Sequence, residues 1–261
     1  MSVSGEVALL AALPGLAFHA ALLLCRMGAA VMLLPGVGEA EIPTTVRLAL
    51  ALGLVFALLP PLSPGLPDLP AEVSGLLVLI VGEVLSGVWL GGLARILVMA
   101  LSQAGQVVSL MIGLASPLQG DLVPGSGMTA LARMLSLATA ALMLATGLFE
   151  IPLRALANSY GVLPPGGVWP GGASAEEMAR TVGDSLSLAM QLAAPFLVAA
   201  IFFNAGLGLI SRIAPHAQIF VLGSPAQILG GLLLMFLLLP SLLNVWARGL
   251  NEGFLRLPGI D

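Results

Sequence analysis

The stretch Val73 to Leu110, VSGLLVLIVGEVLSGVWLGGLARILVMALSQAGQVVSL, carries only two ionisable side chains, Glu83 and Arg95. About 20 residues of helix cross a hydrocarbon core, so this run alone exceeds one crossing. Glu83, Gly87, Gly91 and Arg95 recur every four residues and share one helix face. At a rise of about 1.5 Å per residue the two charges stand about 18 Å apart along the axis and cannot pair with each other. Each needs a partner on another element, or water. Either this face turns inward to other helices or a wet cavity, or the helix begins or ends near Glu83 and leaves the charge at an interface. The glycines favour close helix contact, because backbones approach where no Cβ intervenes.

The rest of the chain follows the same pattern. Further apolar runs extend over Val7–Leu34, broken by Arg26, and over Leu48–Leu62, Met134–Phe149, Ser185–Ser211 and Ile213–Ala247. The last is long enough for two short helices divided at Pro225 or Pro240. Six or seven helical segments are expected by length. The 261 residues are 59% hydrophobic and 8% charged, against roughly 25% charged in a soluble domain, and the mean hydropathy is +1.08. Such a chain cannot cover its surface with polar groups. The predicted class is therefore all-α and integral-membrane, a single domain over residues 1–261, made of helical hairpins with Pro/Gly-broken helices.

The connections are marked. Pro35-Gly36-Val37-Gly38 ends the first helix, since Pro removes a donor and Gly permits positive φ. Pro60 to Pro70 is read as non-helical loop, and Tyr160 to Ala173 as the largest loop. A helix restart is expected at Ser174, where Ser174-Ala175-Glu176-Glu177 fits a capping box and Glu176 precedes Arg180 at i,i+4. Glu6 stands where a signal peptide's basic region would lie, so no cleaved leader is expected. Arg248 and Arg256 give weak weight to a cytoplasmic C-terminus.

Small residues form a second seam at Gly105, Ser109 and Gly113, within one subunit or between two. A third stripe, Asn204, Gly208 and Arg212, precedes Pro215 and His216. Arg212 sits there at a water boundary or binds carbonyls freed where Pro215 breaks the helix. Between two apolar helices, Ser116-Pro117-Leu118-Gln119-Gly120-Asp121-Leu122-Val123-Pro124-Gly125-Ser126-Gly127 is too rich in Pro and Gly to be helical. It is either a surface hairpin or a re-entrant constriction buried in protein.

Several function classes are disfavoured. The nine basic residues are all Arg and the net charge is -4, so nothing points to nucleic acid. One Cys, Cys25, and two distant His give neither a disulfide nor metal-site spacing. No P-loop, HExxH or GxSxG motif is present, so no cofactor or metal is expected and a lipid-active enzyme has no visible acid/base cluster. A small-molecule secondary transporter or channel remains the competing class, because Pro117, Pro195, Pro215 and Pro225 suit discontinuous helices.

The order of motifs is specific. Arg26 followed by PGVGEAEIPTTVRLALAL from Pro35, AGQVVSLMIGL at Ala104–Leu114, GDLVPGSGMTALARML at Gly120–Leu135 and GLGLISRIAPHAQIFVLGSPAQI at Gly206–Ile228 resemble, in sequence order, the FliR family of the flagellar type III export gate. The virulence-secretion homologue family SctT shares much of the pattern. Departures are His216 in place of Gln, Leu122-Val123 between Asp121 and Pro124, and Thr146 to Glu150 where a Gly-His is usual. The resemblance implies a non-enzymatic subunit of a helical hetero-oligomer in the bacterial inner membrane, at the flagellar basal body. Its partners would be FliP-like and FliQ-like membrane subunits, FlhB-like and FlhA-like proteins, lipid, and the unfolded proteins exported. It also implies that Met111, Gly113, Ser116, Pro117, Leu118, Gln119, Asp121 and Pro124 belong to a constriction. Glu83, Gly87, Gly91, Arg95, Gly105, Ser109, Arg212 and Pro215 are then expected to serve subunit or helix packing.

Overall fold

The computed structural model describes residues 3–39, 41–114, 128–213 and 219–260. Among them every regular element is helical: α1 Val3–Leu33, α2 Thr44–Leu62 with a 3-10 turn at Ser63–Gly65, α3 Val73–Val98, α4 Ala100–Met111, α5 Ala130–Thr146, α6 Glu150–Val162, α7 Gly171–Ile213 and α8 Ile219–Phe254. The expected all-α, membrane-class fold is the fold observed. By length and composition five stretches suffice to cross a membrane: Leu13–Leu33, Thr44–Gly65, Val73–Met111, Gly171–Ile213 and Gly223–Phe254. The α5–α6 pair, bent by 74°, makes a sixth if counted as one span.

The structure corrects the sequence reading at four points. The expected six or seven segments are eight α-helices among the described residues. The chain turns at Met99 between α3 and α4, and at Gly147, with φ +75°, between α5 and α6. Ile213–Ala247 is not divided at Pro225 or Pro240, because α8 runs through both, as α7 runs through Pro195. Proline's fixed φ fits a helix, and each ring removes only one donor; in an apolar setting the remaining backbone bonds are worth keeping intact. Pro60 and Pro61 likewise lie in the last turn of α2, where few bonds remain to be lost. Finally, α7 starts at Gly171 rather than Ser174: the Ser174 N–H bonds Pro170 O at 2.9 Å, and Ser174 is buried inside the helix. Trp169 sets that start by packing edge-on against Trp89, ring centroids 5.7 Å apart, while the Trp89 indole N–H donates to Ser174 O. The Glu176–Arg180 pair forms at 3.4 Å on the exposed face.

The chain folds into two compact units. One comprises Met1–Arg95, Met143–Arg180 and Phe254–Asp261, the other Ile96–Leu142 and Thr181–Gly253. The first centres on Leu22, Leu23, Met27, Leu93, Met143, Leu156 and Phe254; the second on Leu101, Ala104, Leu192, Phe196, Trp246 and Leu250. Two buried hydroxyls bond within their own helices: Ser86 donates to Gly82 O and Thr139 to Leu135 O, each at 2.8 Å. Large apolar side chains also stand on the outer faces. Phe56, Val78, Phe202, Ile213 and Phe236 are all more than two-thirds exposed. Only lipid or other apolar protein can cover such faces.

Candidate functional site

Two places gather the residues that the sequence singles out. In the first unit, α1 lies along the α3 face that carries Glu83, Gly87, Gly91 and Arg95. A Cβ at Gly87 would collide with the carbonyl oxygen of Arg26, and one at Gly91 would stand 2.8 Å from that of Ala30. Only glycine admits this approach, so the seam is filled by the chain's own first helix.

An ion pair closes each end of the seam. Arg26 on α1 is 1% exposed. Its Nη2 donates to Glu83 Oε1 at 2.7 Å and to Leu163 O at 2.7 Å, and its Nη1 donates to Ser159 Oγ at 3.0 Å. The guanidinium carbon lies 3.9 Å from the centroid of the Tyr160 ring, a cation–π contact. One guanidinium thus joins α1, α3 and the C-terminal end of α6, a task suited to its planar fork of donors. Three turns along α3, Arg95 grips the Glu39 carboxylate with both terminal nitrogens, at 2.9 and 3.2 Å. Glu39 lies in the α1–α2 connection, whose Gly36 has φ +85°. Arg47 secures the same connection by donating to the Glu39 and Ile42 carbonyls.

In the second unit, α4 and α5 form a hairpin. A Cβ at Gly105 would lie 2.9 Å from Ala132 Cα, so α5 fills the small-residue seam. Ser109 is fully buried and shares a 2.8 Å hydrogen bond with Thr129 Oγ1. Met111 ends α4, and Gly113 follows with φ +78°. Beside them lies an apolar pocket of about 290 Å³, lined by Met111, Ile112, Phe196, Phe203, Gln227 and Gly231 among others. Ser116, Pro117, Leu118, Gln119, Asp121, Pro124 and Pro215 lie outside the described residues. Arg212 is exposed in the last turn of α7.

The sequence reading overlooked Arg26 as the partner of Glu83, and with it Glu39, Ser159, Tyr160, Thr129 and Gln227. Charge balance held the signal for the first: Arg26 is the one cation in the run Val7–Leu34, and a buried carboxylate requires one.

The family model "Bacterial export proteins, family 1" matches residues 17–253. The chain is 34% identical to the flagellar biosynthetic protein FliR of Caulobacter vibrioides, over 90% of this chain and 94% of the relative. It is 30% identical to FliR of Escherichia coli, over 83% and 82%. It is also 32% identical to the Yop proteins translocation protein T of Yersinia pestis, over 62% of each.

Two expectations test the seam. Gly87→Ala should lower stability in detergent by about 1–3 kcal/mol through overpacking. Gly82→Ala, on the same helix with nothing within 4 Å of the added carbon, should change the melting temperature little. Removing either partner of the inner pair, by Arg26→Met or Glu83→Leu, should cost about 3–5 kcal/mol by stranding the other charge. The double variant should recover much of that loss, and a thermal-melt double-mutant cycle measures the coupling.

Proposed function

The chain belongs to the FliR family of bacterial export proteins, and from that premise we propose that it is a subunit of a flagellar type III protein-export gate, without catalytic chemistry of its own. It assembles with FliP-like and FliQ-like subunits, works beside FlhB-like and FlhA-like proteins, and helps conduct unfolded flagellar proteins across the inner membrane at the basal body. The observation that carries this reading is a family match running through nearly the whole chain, over helices whose outer faces are bare and apolar. The greater coverage of the flagellar relatives, 90% of this chain against 62%, favours a flagellar over a virulence system.

Helix length supports assembly into a larger body. The α3–α4 stretch Val73–Met111 has 39 residues and α7, Gly171–Ile213, has 43, contour lengths of roughly 60 and 65 Å. A hydrocarbon core is about 30 Å thick. Parts of these helices tilt or extend beyond lipid, where neighbouring subunits cover their apolar faces. Glu83, Gly87, Gly91 and Arg95 on one unit, and Gly105 and Ser109 on the other, serve helix packing within the chain. The exposed Arg212, with Pro215 beyond it, faces a neighbouring subunit.

The connection that leaves Met111 and Gly113 and includes Ser116 to Pro124 serves as the constriction. In support, the two helices that bracket it stand side by side, bonded through Ser109 and Thr129. Deleting Ser116 to Asp121 from the chain in its own cells should make the assembled gate leaky to small solutes. Unchanged permeability with assembly intact would remove the constriction from the account. Normal filament-protein export by cells lacking the chain would remove the export role itself.

A further inference from the structure

Each of the last four carbonyls of α4 has a hydrogen-bond partner, and one donor comes from a distant helix. The last four carbonyls of an α-helix lack intrahelical partners, and in an apolar setting each must be satisfied. After Met111 the chain forms a Schellman turn around left-handed Gly113. The Ile112 N–H bonds Val108 O at 2.9 Å, the Leu114 N–H bonds Ser109 O at 2.9 Å, and the Gly113 N–H bonds Leu110 O at 3.4 Å. The carbonyl of Met111 is the one this turn leaves over, and Gln227 Nε2 on α8 donates to it at 2.6 Å. The Ile112 side chain occupies the notch at Gly231, where no Cβ would fit, and so holds the same helix end against α8.

The start of α5 is tied to α4 as well. Thr129 stands at the N-cap, its Oγ1 accepting the Ala132 N–H at 3.3 Å. Its own N–H donates to Gln106 Oε1 on α4 at 3.1 Å, and its hydroxyl meets Ser109 at 2.8 Å. The points where the chain leaves α4 and enters α5 are therefore tied to each other and, through Gln227, to α8.

We infer that Gln227, with Gln106, Ser109 and Thr129, forms a polar clamp of positioning residues that sets where the connecting segment leaves and rejoins the helices. This rests on the reading of that segment as the constriction. Solute permeability of cells carrying the assembled complex tests it, with complex yield measured in parallel. Gln227→Met keeps the side chain's length but loses the donor, and Thr129→Val keeps the shape but loses the hydroxyl. Each should raise the leak roughly tenfold at unchanged yield, the effect expected when a buried polar group loses its partner. Thr129→Ser restores the hydroxyl and should return the leak to the parental level. If deletion of Ser116 to Asp121 leaks while both clamp variants stay tight, the clamp is overturned and the constriction stands. If the deletion itself stays tight, the constriction reading fails and takes the clamp with it. Loss of assembly in both variants would assign the clamp to folding and overturn the inference.

Discussion

A guanidinium and a carboxylate carried deep into an apolar helical unit must meet, and where Arg26 meets Glu83 fixes the first unit. Each charge alone would be too costly to bury. Together, with Ser159, the Leu163 carbonyl and the Tyr160 ring as further partners, they form a joint that only one arrangement of α1, α3 and α6 satisfies. Apolar contact between smooth helices is nearly non-directional, so it gives affinity without register. The ion pair supplies the register. It sets α1 at one height along α3, and at that height Gly87 and Gly91 fall opposite the Arg26 and Ala30 carbonyls. Arg95 and Glu39 then close the far end of the same line, so two charge contacts bracket a backbone-to-backbone seam.

The second unit solves the same problem with neutral groups. Gly105 lets α5 approach, and hydroxyls and amides at Ser109, Gln106, Thr129 and Gln227 supply direction. In both units the polar groups that direct helix contact lie inside, and large apolar side chains such as Phe56, Phe202 and Phe236 stand on the outer faces. A chain with this distribution is finished by its surroundings. Its longest helices exceed a bilayer's hydrocarbon thickness, and the proposed assembly with apolar partner subunits accommodates both facts.

Fold class was legible because composition and run length are bulk signals, insensitive to the placement of any one residue. The seam on α3 was legible as a spacing, since four-residue recurrence survives without knowledge of the partner helix. The partners were not: Arg26 and Glu83 are separated by two helix connections, and nothing local marks them as a pair. Helix ends proved hardest. Pro225 and Pro240 read as breaks because local preference disfavours proline in helices, yet a long apolar α8 outweighs two lost donors. Ser174 read as a cap because its local pattern fits, yet the distant Trp89–Trp169 contact moved the start of α7 upstream. Gln227 was invisible for a related reason: a glutamine in an apolar helix carries no hint that its partner is the end of another helix.

The central claim is that this chain is completed by apolar partner subunits. The most direct test is purification of the tagged chain from its own cells in a mild detergent, followed by mass spectrometry of the intact particle. The account predicts a large, stable complex containing FliP-like and FliQ-like hydrophobic proteins. A folded, monodisperse chain recovered alone would contradict it.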